Sequence, residues 1–201
     1  MSLPYSKWPI YDRTLIRGIS KIISSGSVNY LFGKKGREFE EKFSHFHKIK
    51  FSIAVSNGTV GLELALASFN FKKDDEVLVT PRSYYSSASC IIRNNLKPIF
   101  VDIDPSTQNI CVKDIKRKLT RRTKCIICVH LGGLPCDMNN IIHFAKKNNI
   151  KVIEDCSQAH GASIKKKYVG TFGDFGCFSL GMISMLPGIY GGIIISNNPN
   201  D

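Results

Sequence analysis

Three short runs bring polar side chains and glycine together in ways that suit chemistry: VSNGTVGLELAL at 55–66, KVIEDCSQAHGA at 151–162 and GTFGDFGCFSL at 170–180. In the first, a β-like run ends at Val55 and a helical pattern begins near Thr59. Free backbone N–H groups and a hydroxyl therefore meet at a helix N-terminus, the arrangement that cradles a phosphate. The same Asn-Gly-Thr is also ordinary turn and cap chemistry. In the second run Asp155 follows directly on an apolar strand, with Gln158 and His160 in the loop beyond; a structural cap would use the same aspartate. In the third, Gly170, Gly173 and Gly176 permit tight turns and Ser179 closes a strand with a small hydroxyl, which by composition alone is a turn-rich connection.

These runs need a scaffold, and the pattern around them supplies one. From residue 51 short apolar β runs (FSIAV, EVLVT, KPIFVDI, CIICVHL, KVIED) alternate with helical stretches (TVGLELALASF, SSASCIIRNN, VKDIKRKL, MNNIIHFAKKNN). GCFSL and GGIIIS add strands with no long helix between them. The alternation predicts an α/β fold: three layers, α/β/α, around a mainly parallel sheet. In such sheets ligands sit at the carboxyl ends of the strands, where all three polar runs fall. Upstream, Asp12 can cap a helix carrying Leu15, Ile16, Ile19, Ile22 and Ile23, with Gly26 past its end. Phe39, Phe43 and Phe46 predict the core side of a second helix. We expect one domain over 1–201, with N-terminal helices in 1–50 and the α/β part in 51–201.

Composition bounds the function classes. With 43% hydrophobic and 22% charged residues the chain reads as globular rather than disordered. No run reaches the ~18 apolar residues of a membrane helix, so we expect no membrane partner and a cytoplasmic location. Seven cysteines, odd in number and scattered along the chain unlike a disulfide framework, suit a reducing compartment. Cys125 and Cys128 form a C-x-x-C, but on a β run they point to opposite faces, and no second pair completes a zinc site; no metal is expected. The net charge of +12 arises from dispersed Lys and Arg without an aromatic stacking motif. It reads as a solvated basic surface rather than a nucleic-acid interface.

Taken together, SGSVNYLFGKKGREFEEKF, AVSNGTVGLELAL, VTPRSYYSSAS, PIFVDID, VHLGGLPCDM, VIEDCSQAHGA and VGTFGDFGCFS resemble, in order, the DegT/StrS-type sugar-nucleotide aminotransferases. These are pyridoxal-phosphate enzymes of the aspartate aminotransferase fold, fold type I. The resemblance runs almost end to end. It implies that the chain is part of the large domain of such an enzyme, with the C-terminal domain missing. By position it implies that Gly58, Thr59, Val60 and Ser179 hold the cofactor phosphate and that Tyr84 covers one face of the pyridine ring, with Tyr85 next in register. Gln158 would bond near the ring oxygen and Asp155 would face the pyridine nitrogen. The implied activity is transfer of an amino group from an amino acid, typically glutamate, to a keto-sugar nucleotide in polysaccharide biosynthesis. A homodimer or a complete paralogue is the implied partner.

One departure falls at the centre of that chemistry. The family's Schiff-base lysine lies about five residues beyond the FSF-like segment, and this chain has Ser184 there, within FSLGMISMLPGIYGG. A serine hydroxyl forms no imine and is a poor proton shuttle at neutral pH. The expectation is a homologue impaired or inactive in transamination that holds pyridoxal or pyridoxamine phosphate non-covalently. The alternatives are a non-catalytic cofactor-binding or partner-stabilising protein and a decayed gene remnant.

Overall fold

The structure, a computed structural model, describes residues 10–181 and 190–198. The chain divides into two compact units between Phe39 and Glu40. In the first unit, α1 (Arg13–Ser24) starts where Asp12 Oδ1 accepts the Leu15 N–H at 2.7 Å, and Gly26 follows it at a φ of +68°. A loop leads to α2 (Lys35–His47), whose first residues belong to this unit. The division falls eleven residues before the helix-to-sheet boundary read from the sequence, for a local reason. Glu40 already belongs to the sheet: its carboxylate accepts the Ala54 N–H and its carbonyl accepts the Ser52 hydroxyl.

The second unit is built on a seven-stranded sheet. Its strands in chain order are β1 (Phe51–Val55), β2 (Glu76–Val79), β3 (Lys97–Phe100), β4 (Thr123–Val129), β5 (Lys151–Asp155), β8 (Phe175–Ser179) and β9 (Gly192–Ser196). Their spatial order is β1-β9-β8-β5-β4-β2-β3. The five strands from β8 to β3 are mutually parallel, and β9 runs antiparallel to both β8 and β1. Parallel pairing from β8 to β3 agrees with the strand and helix alternation read from the sequence, because parallel neighbours need a crossover connection rather than a tight turn. The expected α/β/α layering is present, and the sheet is mixed at one edge.

One face of the sheet is covered by α3 (Gly58–Ser68) and α4 (Ser86–Arg93), which bury Leu62, Leu66 and Ile91 against Val77, Cys125, Ile153 and Cys177. The opposite face is covered by α5 (Val112–Arg117) and α6 (Met138–Asn148), with Ile115, Met138 and Ile141 packed on Leu78, Ile126, Cys128 and Val152. Cys125 and Cys128 thus lie on opposite faces of β4, fully buried, as strand geometry requires. Burial pushes both thiols well up from their ordinary value, so they are inert. A two-stranded hairpin, β6 (Ser163–Ile164) with β7 (Lys167–Tyr168), turns through Lys165 and Lys166 at positive φ and exposes the basic run.

The aromatic face of α2 differs from the expectation in one residue. Phe43 is buried against the Phe178 ring, 5.1 Å away edge-on, but Phe46 is half exposed and stacks on Tyr168 instead. The second buried residue at this end is His47, one helical turn from Phe43. Among the described residues no helix is long and apolar enough to cross a membrane.

Candidate functional site

The connection from β1 into α3 is made by Asn57, whose Oδ1 caps the helix by accepting the Val60 N–H at 2.9 Å. That bond occupies the Val60 donor. The N–H groups of Gly58 and Thr59 precede the first intrahelical carbonyl that could take them, so they face outward from the helix N-terminus with the positive end of its dipole. Gly58 is required by contact: a Cβ there would stand 2.8 Å from Ser179 Cβ and 3.3 Å from Ser157 Oγ. The first turn of α3, the end of β8 and the loop after β5 therefore meet at one point. Ser179 Oγ also accepts the Gly181 N–H at 3.3 Å, shaping the chain as it leaves the strand.

Asp155, the last residue of β5, is 4% exposed. It lies on the α3/α4 face, and its Oδ2 accepts the Ser87 hydroxyl at 2.8 Å while Oδ1 accepts the Ser157 N–H at 3.1 Å. Among the described residues no cationic side chain pairs with it. The thiols whose titration it affects, Cys90, Cys136, Cys156 and Cys177, are buried, and that burial above all pushes them up, so they stay protonated. Buried carboxylates are ordinarily paired with a cation. The sheet end thus offers an anion-binding helix start and a buried acid that lacks a positive partner. A ligand carrying a phosphate and a protonatable ring nitrogen matches that pair of features.

Gln158 turns toward the loop after β4: its Oε1 accepts the Gly132 N–H at 2.7 Å, tying the β5 loop to the turn at Leu131–Gly133. Tyr84 and Tyr85 sit at the entrance to α4 with ring centroids 4.5 Å apart and are both largely exposed. The Tyr84 phenol is raised in pKa chiefly by its hydrogen bond with Tyr85. Ser184 lies outside the described residues.

The neighbouring acid, Glu154, has the opposite role. Pointing to the other face of β5, it is fully buried and accepts four donors: the N–H groups of Gly170, Phe172 and Gly173 and the His130 ring. His130 Nδ1 accepts the Cys136 N–H at 3.0 Å, so Nε2 carries the proton given to Glu154. His130, Glu154 and Cys156 have ligand atoms within 4.8 Å of one another. The imidazole and both carboxylate oxygens are already committed to these bonds, and the group reads as a hydrogen-bond network that holds the glycine-rich turn.

Ser87 and the Glu154–His130 pair were not singled out by residue type and spacing, whereas Asn57 entered only as part of a turn and cap. Ser87 lies within VTPRSYYSSAS, but one serine among several carries no local signal of a partner 68 residues away. Asn57 had the available signal of an N-cap position.

Comparison with known proteins adds to this geometry. The DegT/DnrJ/EryC1/StrS aminotransferase family is matched over residues 10–201. GDP-perosamine synthase of Escherichia coli O157:H7 is 39% identical over 193 residues, covering 94% of this chain and 53% of that protein. The aminotransferase from Psychrobacter cryohalolentis superposes with a TM-score of 0.95 at 39% identity, over 98% of this chain and 50% of its own. The putative sugar aminotransferase Spr1654 of Streptococcus pneumoniae, in its PMP form, gives a TM-score of 0.89 at 26% identity, over 99% and 54%. The chain spans about half the length of the curated relatives it matches.

Proposed function

We propose that this chain, which belongs to the DegT/DnrJ/EryC1/StrS aminotransferase family, is a sugar-nucleotide aminotransferase homologue that holds pyridoxal or pyridoxamine phosphate without a covalent link. The observation that carries the reading is Asp155, a buried carboxylate with no cationic partner among the described residues, at the same sheet end as the free start of α3. The residues present fit the cofactor. Gly58 and Thr59 would hold its phosphate through their N–H groups, Ser179 and Thr59 through hydroxyls, with Val60 closing the turn behind them. Tyr84 would cover the ring and Gln158 would stand near the ring oxygen. Asp155 would keep the proton on the pyridine nitrogen. When bound, the cofactor supplies a ring that accepts electrons during amino transfer.

The substrates in this reading are an amino-acid donor, typically glutamate, and a keto-sugar nucleotide, in keeping with the perosamine synthase relative. A homodimer or a complete paralogue would be its partner. Ser184 makes the chain impaired in that reaction, because a hydroxyl neither forms the covalent link nor moves the proton. The same substitution favours a second reading, a cofactor-holding protein without turnover.

The test is retention of pyridoxamine phosphate and pyridoxal phosphate through gel filtration, read from the absorbance of the protein peak. We expect near-stoichiometric retention, weakened about ten-fold or more by Asp155→Asn, as befits loss of a charged hydrogen bond. Borohydride should fix pyridoxal phosphate at residue 184 only in Ser184→Lys, located by peptide mass. Failure of the unaltered chain to retain either form would sink the reading and leave the motifs as ancestry.

A further inference from the structure

Asp155 is held at both oxygens, and the donor on one of them comes from a distant helix. Ser87 sits in the first turn of α4, is 1% exposed and bonds Oδ2 at 2.8 Å. Its own oxygen lies 2.7 Å from the hydroxyl of half-buried Ser83. A carboxylate only accepts, so Ser87 gives its hydrogen to Asp155, and Ser83 must then give its hydrogen to Ser87. The bonds form a directed chain, Ser83 to Ser87 to Asp155.

Anchoring of α4 does not need this hydroxyl. The Ser87 N–H is already satisfied by the Tyr84 carbonyl, its own carbonyl accepts the Cys90 thiol, and Cys90 and Ile91 seat the helix in the core. Besides accepting the Ser83 hydroxyl, the Ser87 hydroxyl gives its one hydrogen to Asp155 and so orients that carboxylate. With the Ser157 N–H on the other oxygen, it leaves the carboxylate one rotation about its Cβ–Cγ bond.

We propose that Ser87 is a positioning residue of the cofactor site: its hydroxyl, directed by Ser83, fixes the rotation of the carboxylate that holds the ring nitrogen. The proposal rests on the cofactor reading above. Removing the hydroxyl leaves Oδ2 facing a methyl group and lets the carboxylate turn away from the nitrogen. Threonine at 87 keeps the donor. Alanine at 83 leaves Ser87 able to donate, though less firmly directed.

The experiment uses the full 201-residue chain and pyridoxamine phosphate as the probe. Affinity is measured by titration, and the absorbance of the bound probe is followed against pH, for the unaltered chain, Ser87→Ala, Ser87→Thr and Ser83→Ala. We expect Ser87→Ala to weaken binding about ten-fold and to lower the pH midpoint at which the bound ring loses its proton. Ser87→Thr should restore both, and Ser83→Ala should have the smaller effect. Unchanged affinity and midpoint in Ser87→Ala would overturn the positioning role and leave the cofactor reading standing. Equal loss in the Ala and Thr variants, with lowered melting temperatures, would assign Ser87 to packing and overturn it also. If the unaltered chain binds no pyridoxamine phosphate, both readings fall together.

Discussion

At the scale of residues, two adjacent acids have divided the work. Asp155 keeps acceptor capacity and lacks a cation among the described residues; Glu154 spends both oxygens on donors from the protein itself. The difference follows from strand geometry, which sends neighbouring side chains to opposite faces. Glu154→Gln tests the structural role. Whichever way the amide is turned, its NH2 meets N–H groups: those of Gly170 and His130 on one side, or of Phe172 and Gly173 on the other. We expect a loss on the order of 3 kcal/mol in urea unfolding, the scale set by breaking a buried charged network. A loss below about 1 kcal/mol would mean that the turn is held by other contacts. Asp155 was legible in the sequence because it ends an apolar run at a ligand-binding edge. The role of Glu154 was hidden, since its backbone partners lie 16 to 19 residues further on.

At the scale of elements, the end of α2 is fastened to β8 through aromatic and imidazole rings. Phe43 and His47 stack with centroids 4.3 Å apart, and His47 lies 5.0 Å and His160 5.4 Å from the Phe178 ring. Burial lowers the His47 pKa from its ordinary 6.5, with the Phe43 carbonyl opposing. For His160, burial reinforced by His47 lowers it to about 4 against the opposing Ser179 backbone. Both rings bind protons less readily in the folded chain than in the unfolded one. Stability from these groups is therefore full above pH 6.5 and is lost as pH falls toward about 4. Urea midpoints measured across that window should fall with pH, and the slope should flatten in His160→Phe. An identical slope in that variant would place the acid sensitivity elsewhere. The helix and its Phe spacing were readable from periodicity; that Phe46 stays half exposed while His47 takes the buried place depends on where Tyr168 and Phe178 stand.

At the scale of the whole molecule, apolar surface remains open. On α1 Leu15, Ile16, Ile19 and Ile23 are all exposed, and on the edge strand β1 Phe51 and Ile53 share an exposed face. Stripes and edges of this kind drive association. We expect the chain to self-associate at micromolar concentration in sedimentation velocity, with Ile16→Lys and Ile53→Lys each shifting it toward smaller species. A monodisperse monomer of the unaltered chain would contradict this.

The sequence by itself determined the elements and the family. Period-2 and period-3.6 apolar patterns are local, and seven motifs in a fixed order identify a lineage without any contact being known. It also located Asp155, Gly58, Thr59 and Ser179 at strand ends, because the alternation of strand and helix implies those ends. Tertiary structure alone decided which donors are already used. It gave the Val60 N–H to Asn57, the Ser87 hydroxyl to Asp155 and the turn at 170–173 to Glu154. It also placed β9 between β1 and β8. Hydrogen-bond partners and strand neighbours are set by which elements pack side by side, and residue spacing along the chain carries no record of that adjacency.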